Sequence, residues 1–472
     1  MTKMRYSLGA VIVAALLYSS SVGAEDLLHI YRQSLESDPV LKAAAASQQA
    51  SQEAKPQARA LLLPNIGVTA SQGNTFGAVG STTGRSSYDT HNYAISVVQP
   101  LYNRSSQVQQ RLAEATVNQA DIDFLNAEND LILRVAQAYF SVLAALDNLT
   151  FATAEKNAFA RQLEQANRRF EVGLATITDV YDAQARFDGA VSSEISALNT
   201  LANTREQLRQ LTGQDYAQLN ILGNRMPLAL PKPSDPEAWV RMALENNLSL
   251  QSAGFGVEQA RENIKLQKSG HYPKLDLSVS RADVDSGFTH SYSSQANLQL
   301  TIPIYSGGAV SSRSRQAAYN YEASRQNLED LQRNTITTVR NAYRGQETAI
   351  SQIKALDQTR VSTRSALEAT QAGYEVGTRT IVDVLNAETD VYRAERDYAQ
   401  ARYSYVVNVL TLRQAAGRLT EEDVIEINGW LGAAHPTSGV PVAQADAGST
   451  NALTGKNMNN GSKRTIAKPS KP

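Results

Sequence analysis

The chain has 472 residues, with 45 lysines and arginines against 46 acidic residues, a net charge of −1 and no cysteine. Balanced charge provides no electrostatic footprint for a nucleic-acid partner. The lack of cysteine excludes a disulfide framework, thiol chemistry and a lipid-modified N-terminal cysteine.

In chain order, MTKMR is a basic start, YSLGAVIVAALLY is mostly apolar, and SSSVGA supplies small residues before Glu25. This is the pattern of a secretory signal peptide over 1–24, its apolar run short of the ~20 residues that span a bilayer. Residues 25–63 favour helix. Two extended stretches within 65–102 follow, with apolar and polar residues alternating from Ile66 to Ser71 and, less cleanly, from Tyr93 to Gln99. Residues 104–172 contain neither Gly nor Pro. At ~1.5 Å per residue, a continuous helix there is on the order of 100 Å long. Its composition is rich in Ala and polar residues and poor in Leu, Ile and Phe. That suits an extended coiled-coil wall better than a globular core. The phrase FEVGLATITDV leads into a return helix over 176–212.

A proline-rich linker, 227–235, then precedes a second passage through the same order. Asp235-Pro236 is an N-cap with Pro at the first helical position of a segment over 236–270. Alternating stretches occupy 274–305, and ANLQLTIPI shows one apolar face. A long helix over 309–376 is interrupted only by Gly345 and Gly373, and GYEVGTRTIVDV turns into a helix over 380–416. From 432 to 472 the chain is polar, rich in Gly, Pro, Ser and Asn, and expected to be a disordered tail.

The second passage is a duplicate of the first. VVQPLYN matches LTIPIYS, LRQLTG matches LRQAAG, and the pairs Asp179/Asp383 and Gly213/Gly417 are each separated by 204 residues. The chain therefore divides into a first repeat, 25–226, and a second, 236–431. Ten-residue alternating segments with long polar loops on one side suit strands of a membrane barrel. They would also suit a soluble antiparallel sheet. If they lie in lipid, four strands are too few to close, since about eight are needed. An open edge is not tolerated there, so copies must pool their strands; three copies give twelve. Tyr88, Tyr93, Tyr102, Tyr292 and Tyr305 near strand ends, with Phe76 and Phe288 in loops, fit membrane interfaces or ordinary strand composition equally.

This set of features resembles the TolC family of outer-membrane efflux proteins over 25–431. The motifs are YFSVLAALD, RQLEQANRRFEVGLATITDV, IYSGGAVSSRSRQAAYN, VGTRTIVDVL and ARYSYVVNVL. The resemblance implies a mainly α chain with a membrane β-barrel: a homotrimer in the Gram-negative outer membrane sharing a 12-stranded barrel that continues as an α-helical periplasmic tunnel. It implies a passive exit duct for drugs, small toxic molecules or proteins, in multidrug efflux or type I secretion. The partners would be a periplasmic adaptor (membrane fusion) protein, an inner-membrane transporter of the RND, ABC or MFS type, and outer-membrane lipid. Trp239 and Trp430 would pack where the repeats meet at the tunnel's waist.

The two copies of the turn carry the candidate site. Gly173 and Gly377 fit the left-handed position that ends a helix; by resemblance these tip turns dock the adaptor. Thr176 and Thr380 are N-caps, and Asp179 and Asp383 fall at the acidic position of a capping box. Capping does not explain why Phe170 and Ala175 become Tyr374 and Arg379. These two side chains either face water or find partners. The resemblance implies that Tyr374 and Arg379 tether the second repeat to Thr178 and Asp179 of the first, closing the entrance with links worth about 1 kcal/mol or less each. It further implies that three copies of Asp383 ring the entrance and favour cations. The family's second ring, one turn on, is replaced here by Asn386, which weakens cation selectivity and block.

Rival readings explain less. His29, His91, His271, His290 and His435 have no metal-ligand spacing, and no phosphate loop or nucleophile motif is present. SGGAV at 306–310 reads as a turn. No catalytic residue, metal or cofactor is expected. A soluble coiled-coil scaffold would explain the helices but leave the four strands idle.

Overall fold

The structure, a computed structural model, describes residues 25–78, 85–223, 226–286 and 289–436. The signal-peptide segment, Phe288 and most of the expected tail lie outside the described residues. The first repeat opens with three helices in place of one: α1 (Leu27–Ser37), α2 (Pro39–Gln52) and α3 (Ala54–Ala60). Asp38 makes the first break. Its carboxylate caps α2 through Leu41 N at 3.0 Å and takes Arg134 Nη2 at 2.7 Å, with Pro39 at the first helical position. Strands β1 (Asn65–Ala78) and β2 (Arg85–Asn103) lead into α4 (Arg104–Glu171), which returns through α5 (Ile177–Thr212) to the short β3 (Gln218–Leu222). The second repeat repeats the order: α6 (Pro236–Asn246), α7 (Leu248–Lys268), β4 (Lys274–Asp285), β5 (His290–Thr301), α8 (Ala309–Glu375) and α9 (Ile381–Ala415). It closes with α10 (Glu421–Asn428) and β6 (Leu431–Pro436).

Helices α4 and α8 have 68 and 67 residues, each a rod of about 100 Å. Small side chains let them approach their neighbours. Ala113, Ala115, Ala136, Ala145, Ala158 and Ala166 of α4 are buried, as are Ala183, Ala190 and Ala197 of α5. α4 lies along α5, α8 along α9, and α4 also packs on α9, joining the repeats.

The larger apolar side chains gather midway along the rods. Leu131, Val135, Tyr139, Phe140, Leu143 and Leu146 of α4 pack with Tyr403, Tyr405, Val406 and Leu410 of α9, with α1 and with β3. Two buried hydroxyls of this core have acceptors. Tyr139 donates to Asn220 O at 2.5 Å, and Tyr403 to Asp147 Oδ2 at 2.6 Å. The linker is pinned rather than loose. Tyr405 Oη donates to Pro227 O at 2.9 Å, Tyr343 Oη to Ser234 O at 2.7 Å, and Trp239 Nε1 to Pro233 O at 2.8 Å. Trp239 and Trp430, both buried, line one cavity of about 420 Å3 beneath it.

Two boundaries differ from expectation. The strand expected to run to 305 ends at Thr301. Pro303 lacks an N–H and cannot extend a ladder, so Ile304 and Tyr305 stand free. Residues 432–436, expected to belong to the tail, lie in β6, which pairs antiparallel with β3 from Gln218↔Pro436 to Leu222↔Leu431. That pairing spans more than 200 residues of chain and leaves no local pattern.

The large sheet is antiparallel in the order β1-β2-β4-β5, so its central pair joins the two repeats. Its register sorts most of the side chains by face. Ile66, Val97, Val279 and Ala296 are directly opposed, as are Val68 and Ile95, Leu277 and Leu298, and Leu275 and Leu300; all share one face. The other face carries Thr69, Ser71, Ser96, Asn92, Ser280, Gln295, Asn297 and Gln299. The apolar face is not covered within the chain: Ile66, Val68 and Leu298 are each more than 60% exposed. Towards the hairpin ends it turns polar, with Arg281 opposite Ile95 and Asp283 within 3.4 Å of His290. No described helix is long and apolar enough to cross a membrane.

The repeat-equivalent Gly213 and Gly417 end α5 and follow α9 with φ of 71° and 67°. Around Gly213 there is open space, whereas a Cβ on Gly417 would sit 2.3 Å from Asn246 O. Gly213→Ala is expected to cost about 1–2 kcal/mol from the left-handed backbone alone. Gly417→Ala should cost clearly more. Denaturant midpoints of the two variants, measured side by side, check the order.

Candidate functional site at the helix turns

Both helix turns are built alike. Gly173 (φ 74°) and Gly377 (φ 80°) supply the left-handed residue after α4 and α8. Leu174 N reaches back to Arg169 O at 2.7 Å, and Thr378 N to Gly373 O at 2.8 Å, satisfying carbonyls the helix leaves open. Thr176 and Thr380 then start α5 and α9 with complete capping boxes. Thr176 N donates to Asp179 Oδ2 at 2.8 Å, and Thr380 N to Asp383 Oδ2 at 2.9 Å. The left-handed glycines and the threonine–aspartate capping boxes expected from the sequence are present in both turns.

The boxes are not electrostatically identical. Asp383 accepts from the Thr380 backbone and hydroxyl, each at 2.9 Å. These bonds, helped by the Arg379 guanidinium, hold its carboxyl below the usual carboxylate range. These contacts favour the charged form of Asp383.

The expected tethers are not made within one chain. Among the described residues, no hydrogen bond or ion pair joins Tyr374 or Arg379 to Thr178 or Asp179. Thr178 Oγ1 instead meets Thr176 Oγ1 at 2.5 Å. Arg379 folds over Gly373, where a Cβ would lie 2.8 Å from its Cγ; glycine is required there by contact, not by a left-handed backbone. Tyr374 lies under the Arg169 guanidinium, 4.5 Å from ring centroid to Cζ. It packs beside a small core of Phe159, Ala166, Ala183, Ile381 and Leu385.

Other links join the repeats here, and sequence reasoning missed them. Arg186 Nη2 of α5 donates to Asn386 Oδ1 of α9 at 2.6 Å. Gln162 Nε2 of α4 donates to Glu388 Oε1 of α9 at 3.1 Å. Neither Arg186 nor Gln162 differs in kind from its solvated neighbours on the same helix, so nothing in their spacing flagged them. Glu388 offered a faint signal: it is a carboxylate seven residues past Ile381, on the apolar stripe. Asn386, expected to thin the charge at the entrance, is exposed and holds a guanidinium beside it.

The turn thus combines a backbone scaffold that any helical hairpin would use with a few weak polar links between repeats. Among the described residues, no cluster of carboxylates or histidines is suited to a metal.

Comparison with known proteins places this geometry. The model of the family described as "Outer membrane efflux protein" matches residues 30–214 and 239–418, one match per repeat. The chain is 42% identical over 428 residues to the outer membrane protein TolC of Vibrio cholerae, covering 88% of this chain and 95% of that one. It is 31% identical to the alkaline protease secretion protein AprF of Pseudomonas aeruginosa, covering 87% and 88%. Among solved structures, the outer membrane protein VceC of Vibrio cholerae has the same fold, with a TM-score of 0.71 at 17% identity over 83% of this chain and 96% of that chain.

One test of the local chemistry concerns Asp383. With the Thr380 hydroxyl bond lost in Thr380→Val and the backbone bond kept, the Asp383 carboxyl should move part of the way back up towards the ordinary carboxylate range. The cap's contribution is present above the ordinary carboxylate value and lost as pH falls through the lowered one. Carboxyl carbon shifts followed by NMR in both proteins check the upward move.

Proposed function

This chain belongs to the outer membrane efflux protein family, and we infer that it is the outer-membrane exit duct of an efflux or type I secretion system. The observation that carries the reading is the large sheet: one exposed apolar face, one polar face, and two unpaired edges, mounted on helices about 100 Å long. In water such a face would drive aggregation. In hydrocarbon the face is at home but the edges are not. Pairing β1 of one copy with β5 of the next solves both problems. Three copies make a twelve-stranded barrel with the polar face inward, lining an aqueous lumen. The helices continue it as a periplasmic tunnel.

Such a duct is passive, with transport driven from the inner membrane. Its opening is governed by a periplasmic adaptor protein and an inner-membrane transporter, of the RND, ABC or MFS type, that engage the helix turns around Gly173 and Gly377. The cargo is drugs, small toxic molecules or proteins, as the transporter selects.

The gate links belong between copies. Arg379 and Tyr374 lie at the end of one repeat and make no hydrogen bond or ion pair to Thr178 or Asp179 of their own chain, and Thr178 and Asp179 of a neighbouring protomer complete them. Three Asp383 carboxylates, fully ionised, ring the entrance. Asn386 adds no charge, and Arg186 at its side offsets part of the ring's field.

The purified protein should migrate as a heat-modifiable trimer from the outer-membrane fraction; a water-soluble single chain would overturn the reading. In planar bilayers, Arg379→Ser with Tyr374→Phe should raise single-channel conductance, and unchanged conductance would count against the tethers. Asn386→Asp should tighten block by multivalent cations. The gain should grow when Arg186→Gln removes the neutralising guanidinium, which a block titration of both variants checks.

A further inference from the structure

The seam between α4 and α9 holds a buried polar pair that neither helix packing nor the turns require. Glu388 is only 5% exposed. One of its oxygens, Oε1, accepts from Gln162 Nε2 at 3.1 Å. The remaining atoms of the pair, Glu388 Oε2 and Gln162 Oε1, are both buried and have no hydrogen-bond partner. As an ionised carboxylate beside an amide oxygen, the pair leaves two acceptors without a donor, an arrangement that is costly away from water. One proton resolves it. Placed on Oε2, it gives an O–H that donates to Gln162 Oε1, so amide and acid close a ring of two antiparallel hydrogen bonds.

We propose that Gln162 and Glu388 form a proton-binding site, in which the neutral acid clasps the amide and ties the first repeat to the second just above the helix turns. The proton comes from water as the seam closes and returns to water as it opens. The proposal rests on the reading that these turns are the entrance that opens, and it adds a ligand, the proton, that acts on it.

The surroundings act in the same direction. Burial pushes the Glu388 carboxyl above the usual carboxylate range; the Gln162 bond and Arg161 oppose this, and Glu155 adds to it. The groups that face the site are Glu155 and Arg161 from α4 and Tyr392 from α9. Tyr392 is itself pushed up by burial and by Glu388. Arg186 of α5, with Arg393 and Arg396 of α9, attends Glu155, where burial still outweighs the three arginines. No guanidinium bonds Glu388 directly. A carboxyl whose value is raised in the clasped state stabilises that state fully below its ordinary value, and the stabilisation is lost as pH rises through the raised value. Opening should therefore become easier with rising pH. This trend is separate from Asp383, whose carboxyl is lowered and stays ionised over the same range.

Two measurements on the full-length trimer test the proposal. Infrared difference spectra between about pH 5 and about pH 8.5, spanning the range of a raised carboxyl, should show a neutral-acid carbonyl band that Glu388→Gln removes. In planar bilayers over the same range, wild-type conductance should rise with pH, and Glu388→Gln, which keeps an amide pair but has no proton to lose, should lose that rise. Arg379→Ser with Tyr374→Phe, as a control, reports whether the turns gate at all. A missing band overturns the proposal, as does a Glu388→Gln channel with the wild-type pH profile. If the control also leaves conductance unchanged, the gate reading falls as well; if it raises conductance, only the proton site falls.

Discussion

A peptide group that faces hydrocarbon must find its hydrogen bond within protein, because there is no water to supply it. Nearly every large-scale feature of this chain follows from that requirement. The sheet has two bare edges and an apolar face that nothing in the chain covers. Such a sheet is complete only when copies close it into a ring, and a ring of sheets commits the helices beneath to a ring as well. The alanine-rich composition of α4 and α5 is then the natural one. Rods that must lie side by side around a hollow need close approach along their length, not a thick core. The apolar side chains that remain are concentrated at mid-height, where α1, α10 and the small sheet brace the rods.

Duplication supplies the symmetry, and departures from it supply the function. Both turns use the same glycine, threonine and aspartate because helix termini pose the same problem twice. What differs is what the two copies do with the space around that scaffold. The first carries Leu174 and Ala175; the second carries Thr378 and Arg379, and Arg379 is accommodated by a glycine at 373. The links between repeats are individually weak: a guanidinium over a ring, an arginine on an amide, an amide on an acid. Weak links would suit the opening entrance proposed above, and strong ones would seal it.

Much of this was legible in the sequence. Rod lengths, capping boxes, left-handed glycines and the apolar stripe of the strands are all local patterns, written at a period of 3.6 or 2 or at a single backbone angle. The parts that escaped depend on what lies across from a residue. Arg186 and Gln162 look like any polar residue on a solvated helix until α9 is laid against them. Strand β6 reads as tail because its partner β3 lies two hundred residues away. The break after Thr301 was foreseeable, since Pro303 is in plain view, but an apolar run on both sides outweighed it. The Arg169 guanidinium over the Tyr374 ring is another contact that depends on what lies across from a residue, made between α4 and α8.

The pinned linker also governs how far the tip can travel. Tyr343, Tyr405 and Trp239 fasten the crossing between repeats to the middle of the rods, so this level would be the fulcrum of the opening proposed above. From Tyr405 to the cap at Thr380 is a lever arm of about 37 Å. A tilt of about a tenth of a radian at the fulcrum swings the far end by roughly 4 Å, on the scale of one side chain, while the core above barely shears.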